Sequence, residues 1–157
     1  MIIGAGLTKS GCVTLRKALA TLGLQAKNMP TKEELLSGKC DAYTGIPCLA
    51  YLDEIIAKYP DAKVIYCELN QEDWLKACTE HFGKTENPYY LQLRKLVYGV
   101  QTPKKTHLEK AYQEYKKKVG ELENVLVINW SEKPSWKTLC DYLGVKTPDA
   151  DFPAFIG

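Results

Sequence analysis

Short apolar runs of strand length alternate along this chain with longer stretches of helical period. Residues 1–5 form an apolar run closed by glycine. Lys63–Glu68 reads Lys-Val-Ile-Tyr-Cys-Glu and Val125–Asn129 reads Val-Leu-Val-Ile-Asn, with a shorter strand expected over 41–44. Between them, residues 10–22 carry Leu15, Ala18, Leu19 and Leu22 at helical spacing, with Ser10 placed to cap and Gly23 to end the helix. Thr31-Lys32-Glu33-Glu34 is a capping box opening a helix over 31–37. Pro47 suits the first turn of a helix carrying Leu49, Leu52, Ile55 and Ile56. Asn70 can cap a helix with Trp74, Leu75, Cys78 and Phe82 on one face, and Pro88–Tyr98, 103–119 and 135–143 follow. Such alternation predicts an α/β fold in three layers, a central, mainly parallel sheet flanked by helices. In such sheets ligands bind at the carboxyl ends of the strands.

A length of 157 residues fits one domain, 1–157, with a core that needs no staples. With 45% hydrophobic and 25% charged residues the chain is not intrinsically disordered. A net charge of +2 does not point to nucleic acid or an anionic membrane. No apolar run reaches bilayer length, and the start lacks a signal peptide, so the expected compartment is cytoplasmic. Cysteines at 12, 40, 48, 67, 78 and 140 show no Cys-x-x-Cys, and His81 and His107 are isolated. The expectation is reduced thiols in the core and no metal. Both histidines are expected on helix surfaces. The lysines of 103–119 are interleaved with glutamates and read as a solvated face.

The chemistry is expected at Gly4-Ala5-Gly6-Leu7-Thr8-Lys9-Ser10-Gly11, the turn from first strand to first helix. A helix N-terminus presents unpaired amides to an anion, and Lys9 and Ser10 add an ammonium and a hydroxyl. The dinucleotide fingerprint fails because Lys9 stands where its third glycine belongs. Walker A fails at both glycines, where Ile3 and Thr8 stand.

Lys9-Ser10-Gly11 resembles the phosphosulfate-binding loop of the sulfotransferases, with Cys12 in place of a threonine. The likeness continues in order through Ala18-Leu19, Leu22-Gly23, Asp41-Ala42-Tyr43-Thr44-Gly45-Ile46-Pro47, Tyr59-Pro60-Asp61-Ala62-Lys63-Val64-Ile65, Trp136 to Val145, and Phe152-Pro153. The chain thus resembles the compact P-loop sulfotransferase-like family. That resemblance implies a donor, 3′-phosphoadenosine 5′-phosphosulfate (PAPS), whose product is PAP, and sulfuryl transfer to a hydroxyl or amine. Lys9, Ser10, Gly11, Cys12, Val13 and Thr14 would hold the phosphosulfate, with Lys9 as the catalytic cation. The implied partner is a phosphate- or sulfate-bearing small molecule.

Departures from the family follow the third strand. Its 3′-phosphate-binding arginine and serine are Leu69 and Ala77 here, and Glu68 has the wrong sign. Losing both partners should weaken donor binding by about 3–5 kcal/mol, roughly a few hundred-fold or more. Lys76 is a candidate substitute. The family's acid after the second strand is Gly45, for which Asp41, Tyr43, Asp53 and His107 are candidate replacements as a base. The segment from Trp74 to Val125 is shorter than in the family, implying a more open groove. The resulting expectation is a sulfotransferase-like domain with transfer weakened or lost. The alternative is a non-catalytic structural or protein-interaction module. The tail 150–157 is expected to pack as a strap or to present Phe152 and Phe155 to a protein partner.

Overall fold

The computed structural model describes residues 1–79, 81, 82 and 85–156. Five strands form one all-parallel sheet: β1 (Ile2–Gly6), β2 (Ala26–Asn28), β3 (Ala42–Gly45), β4 (Lys63–Glu68) and β5 (Val125–Asn129). Their spatial order is β2-β3-β1-β4-β5, so β1 lies at the centre between β3 and β4. Ile2 is in register with both Ala42 and Lys63, and Val64 with Val125. From β1 the chain goes to the edge at β2, returns to β3 beside β1, and then crosses to β4 and β5 on the other side. The carboxyl end of β1 therefore lies where the connections change direction, the place where open α/β sheets bind ligands.

The described helices are α1 (Cys12–Thr21), α2 (Lys32–Ser37), α3 (Ile46–Ala50), α4 (Leu52–Lys58), α5 (Gln71–Thr79), α6 (Pro88–Tyr98), α7 (Lys105–Gly120) and α8 (Trp136–Leu143). A 3-10 turn, Trp130–Glu132, follows β5. The core between sheet and helices is built on Ile3, Leu15, Leu19, Leu52, Ile55, Ile65 and Ile128, all fully buried. The Thr31 capping box forms as expected, its hydroxyl accepting from the Glu34 amide at 3.2 Å. Lys105, Lys110, Lys116 and Lys118 of α7 meet acids, Lys118 with Asp53 at 2.8 Å.

Three local features differ from the sequence expectation. The helix α1 starts at Cys12 with Gly11 as its cap, not at Ser10, because Ser10 turns back into the loop. Strand β2 was not foreseen: Ala-Lys-Asn is short and carries no β-branched residue, and it forms by pairing at the sheet edge with β3. The expected helix after Pro47 is two, α3 and α4, with Tyr51 (φ −110°, ψ 20°) out of helical geometry between them. The described cysteines are free thiols, and all but Cys40 are buried.

The tail packs as a strap. Phe152 stacks on Trp130 at 5.8 Å and meets Trp136 edge-on at 4.9 Å, while Phe155 lies 6.2 Å from Trp130. The Ile156 amide donates to the Thr14 hydroxyl at 2.7 Å. Gly157, at the end of that stretch, lies outside the described residues.

Candidate functional site

The loop between β1 and α1 is folded back on itself and clamped from outside. At Gly6 a methyl group would meet the Ser10 hydroxyl and stand 2.8 Å from the Cys12 sulfur, so only glycine lets the loop close here. Ser10 directs both its donors inward: its amide (3.2 Å) and its hydroxyl (2.6 Å) reach the Leu7 carbonyl. Thr8 is held on three sides. Its amide donates to the Tyr98 hydroxyl at 3.0 Å, that hydroxyl donates to the Thr8 side chain at 2.9 Å, and the Trp74 indole donates to the Thr8 carbonyl at 2.7 Å.

This clamp precedes a strained residue. Lys9 has φ 64°, a left-handed conformation that costs a non-glycine residue about 1–3 kcal/mol. Gly11, at φ 94°, follows, with Trp130 and Phe155 against its Cα. The chain then enters α1. No side chain caps that helix, and among the described residues no hydrogen bond engages the amides of Gly11, Cys12 or Val13.

These residues form one wall of a cavity of about 440 Å³. Lys9, Ser10, Gly11, Cys12 and Val13 line it, and Thr14 does not: its hydroxyl is taken by Ile156. The opposite walls come from residues that the sequence did not single out. Asn28 ends β2 and Met29 follows it, Ile46 opens α3, Thr85 precedes α6, and Tyr90, Leu93 and Arg94 belong to α6. The spacing Tyr90-Arg94-Tyr98, four residues apart, was the available signal, because such residues share a helix face. His81 also lines the cavity, which corrects its expected place on a helix: it lies in a turn after α5, still exposed, and at the cavity wall.

Electrostatics vary sharply around the loop. A hydrogen bond with the Cys67 thiol holds the Cys12 thiol below its ordinary value, against the effect of burial, and contacts with Ser10 and the Gly45 backbone act in the same direction. Cys67 is pushed well up. Partial burial, and then the charges of Lys9 and Arg94, keep His81 below the usual imidazole value, so the ring is mainly neutral at pH 7. Burial raises Glu68 against the pull of Lys116, 3.8 Å away.

The departures from the family pattern have structural counterparts. Leu69 is buried, with its carbonyl accepting from Tyr112 at 2.8 Å, and Glu68 beside it is 8% exposed. Lys76 pairs with Glu72 at 3.3 Å. Gly45 reaches the cavity, but a side chain there would begin 3.1 Å from the Met29 sulfur and 3.3 Å from the Asn28 amide oxygen. The four candidate bases stand outside the cavity wall. Asp41 accepts from the Gln25 amide (2.7 Å), Tyr43 from the Cys40 amide (3.1 Å) and His107 from the Lys104 amide (3.0 Å), and Asp53 pairs with Lys118.

A family model described as the sulfotransferase domain matches residues 26–155. The chain belongs to the sulfotransferase domain family. The match begins beyond the β1–α1 loop, so what is said of that loop in this sulfotransferase domain rests on its geometry. The chain is also similar to Ava biosynthesis cluster protein M of Aspergillus versicolor, at 23% identity over 140 residues, covering 74% of this chain and 54% of that protein. It thus spans about half the length of that curated relative. Among the described residues, no helix of this sulfotransferase domain is long and apolar enough to cross a membrane, and no His, Cys, Asp and Glu cluster could hold a metal ion.

Proposed function

We propose that the β1–α1 loop of this domain is a P-loop that binds a phosphate or sulfate group, and that PAPS-dependent sulfuryl transfer is weakened or lost. The observation that carries the reading is the cavity wall made by Lys9 and by Gly11, Cys12 and Val13, whose amides open α1. Amides at a helix start and an ammonium together match a tetrahedral oxyanion. PAPS, when bound, supplies the sulfuryl group. Lys9 and the Gly11, Cys12 and Val13 amides would hold its phosphosulfate, with donors fixed before the ligand arrives. Ser10 and Thr14 act as supports, since their hydroxyls are engaged within the protein.

Weakening follows from the other end of the donor. Where the family grips the 3′-phosphate, this chain has a buried leucine beside a buried carboxylate. His81 favours residual catalysis, because it brings a mainly neutral imidazole to the lining of a cavity in which Gly45 replaces the family's acid. An acceptor proton can pass only to a base that reaches it. The second reading, a binding module that assembles with a protein, is favoured by the buried Leu69 and the blocked Gly45 position.

Thermal unfolding with PAP, AMP and inorganic sulfate side by side tests the reading. A ligand at 100 times its Kd stabilises by about 2.7 kcal/mol, a shift of several degrees for a chain of this size. The proposal expects comparable shifts from all three. A large shift with PAP alone would restore 3′-phosphate recognition and an ordinary donor site. No shift with any of them would remove the anion site.

A further inference from the structure

Cys12 and Cys67 are buried thiols joined by a hydrogen bond. Their meeting follows from the sheet. Gly6 and Cys67 are in register on the neighbouring strands β1 and β4, and residues so paired turn toward the same face, about 4.8 Å apart. Gly6 leaves its place on that face without a side chain. The Cys12 sulfur fills the gap, 2.8 Å from where a methyl group on Gly6 would stand, and the Cys67 carbonyl lies 2.9 Å from the same point. The first turn of α1 thus lays a sulfur beside β4.

The two thiols are not equivalent. Cys12 is 8% exposed and lines the cavity, whereas Cys67 is fully buried. Cys12 is held below the ordinary thiol value and Cys67 is pushed well above it, so Cys12 carries the charge when the pair ionises. The buried Trp130 indole N–H faces the Cys67 sulfur and bonds no oxygen or nitrogen among the described residues, which places a donor where negative charge on that sulfur would form. A reachable thiolate beside a buried protonated thiol has the form of an attacking and a resolving cysteine.

We infer that Cys12 and Cys67 are an oxidation site for a hydroperoxide, which closes them into a disulfide tying the first turn of α1 to β4 beneath the loop. The Cys12 thiolate attacks the terminal peroxide oxygen: an S–O bond forms, the O–O bond breaks, and the other oxygen leaves as water or an alcohol with a proton from solvent. Cys12 is thereby oxidised to a sulfenic acid and the peroxide is reduced. The Cys67 sulfur then attacks the Cys12 sulfur. An S–S bond forms, the S–O bond breaks, and the hydroxyl leaves as water with the Cys67 proton. Cys48, a third buried thiol that feels the Cys12 charge, is the competing partner. The inference goes beyond the anion reading and does not depend on it.

The test treats the full, reduced chain with hydrogen peroxide, blocks the remaining thiols with iodoacetamide and maps tryptic peptides by mass without reductant. Trypsin puts the two sulfurs on separate peptides, Ser10–Arg16 and Val64–Lys76. The expected result is those two peptides joined, lighter by one hydrogen at each sulfur, and separated again by dithiothreitol. Exposure alone would oxidise Cys40 first, since it is not buried. The inference expects the joined pair while Cys40 is still open to iodoacetamide. Cys67→Ser should leave Cys12 as a sulfenic acid that dimedone captures, and Cys12→Ser should leave Cys67 a thiol. Cys12 joined to Cys48, or Cys40 oxidised while Cys12 and Cys67 remain thiols, overturns the inference, and both are read on the unaltered protein. Cys12 passing to a sulfinic acid with Cys67 untouched also overturns it. The thermal shift with inorganic sulfate reports on the loop separately. A joined pair without that shift removes the anion site and leaves this inference standing, and the shift without a joined pair does the reverse.

Discussion

The hydroxyl of Tyr98 closes on both the amide and the side chain of Thr8, 90 positions away in the sequence. One phenol oxygen thus ties helix α6 to the loop that precedes the strained Lys9. Tyr98→Phe removes both hydrogen bonds and leaves the packing. Each contributes roughly 0.5–1.5 kcal/mol. We expect a fall in melting temperature of about 3–8 °C, together with weaker sulfate stabilisation, both read by differential scanning calorimetry. An unchanged sulfate effect in a destabilised variant would show that the clamp does not organise the cradle.

Gly11 and Gly120 make a paired test of backbone freedom. Gly11 has φ 94° with Trp130 against it, whereas a methyl group at Gly120 would meet nothing within 4 Å and needs no left-handed backbone. Gly11→Ala should destabilise by about 2 kcal/mol or more. Gly120→Ala, at the end of α7, should be neutral or stabilise by up to about 1 kcal/mol. Urea unfolding of the two variants measures both.

Cys12 should be the reactive thiol of the cavity. Its depressed pKa means that the thiolate forms below the ordinary thiol range. The rate of alkylation by iodoacetamide, followed by peptide mass mapping, should rise to a plateau with a midpoint below 9.0, the reference value. Cys67→Ala removes the largest cause and should move that midpoint upward. Inorganic sulfate, by occupying the adjacent amides, should slow the reaction.

Glu68 carries a stability cost at neutral pH. Its folded-state pKa is raised, with burial as the main cause, so folding disfavours the ionised form. The penalty is absent below the unfolded value near 4.5, and it is fully present once pH exceeds the folded value. Glu68→Gln should therefore melt higher than the unaltered protein at pH 7, with the advantage shrinking as pH falls toward 4.5. Lys116, more than half exposed, loses little with its partner. Melting curves at the two pH values decide it, and a lower melting point at pH 7 would show that the ion pair outweighs burial.

The parts of the fold set by local chemistry were legible in the sequence. Lys63–Glu68 and Val125–Asn129 were read with their observed bounds because each holds an unbroken apolar run, Val-Ile-Tyr-Cys and Val-Leu-Val-Ile, between turn signals. The Thr31 box formed because its partners are three residues apart. What stayed hidden depends on distant neighbours. Ala26–Asn28 is a strand only because β3 pairs with it. In the site, Lys9 to Val13 could be read from the turn. The inward hydroxyl of Ser10 could not, because it depends on the space that Gly6 leaves. Arg94 was hidden because an arginine in an amphipathic helix reads as surface, and only the packing of α6 against the loop brings it into the cavity wall.

The central claim is that the amides opening α1 and the Lys9 ammonium form one oxyanion cradle. Amide resonances of an isotopically labelled chain, followed while inorganic sulfate is titrated, test it most directly. The account expects Gly11, Cys12 and Val13 to shift together along one saturation curve, with the response lost in Lys9→Ala. Sulfate binding that leaves those three resonances in place, or that persists unchanged without the lysine, would contradict it.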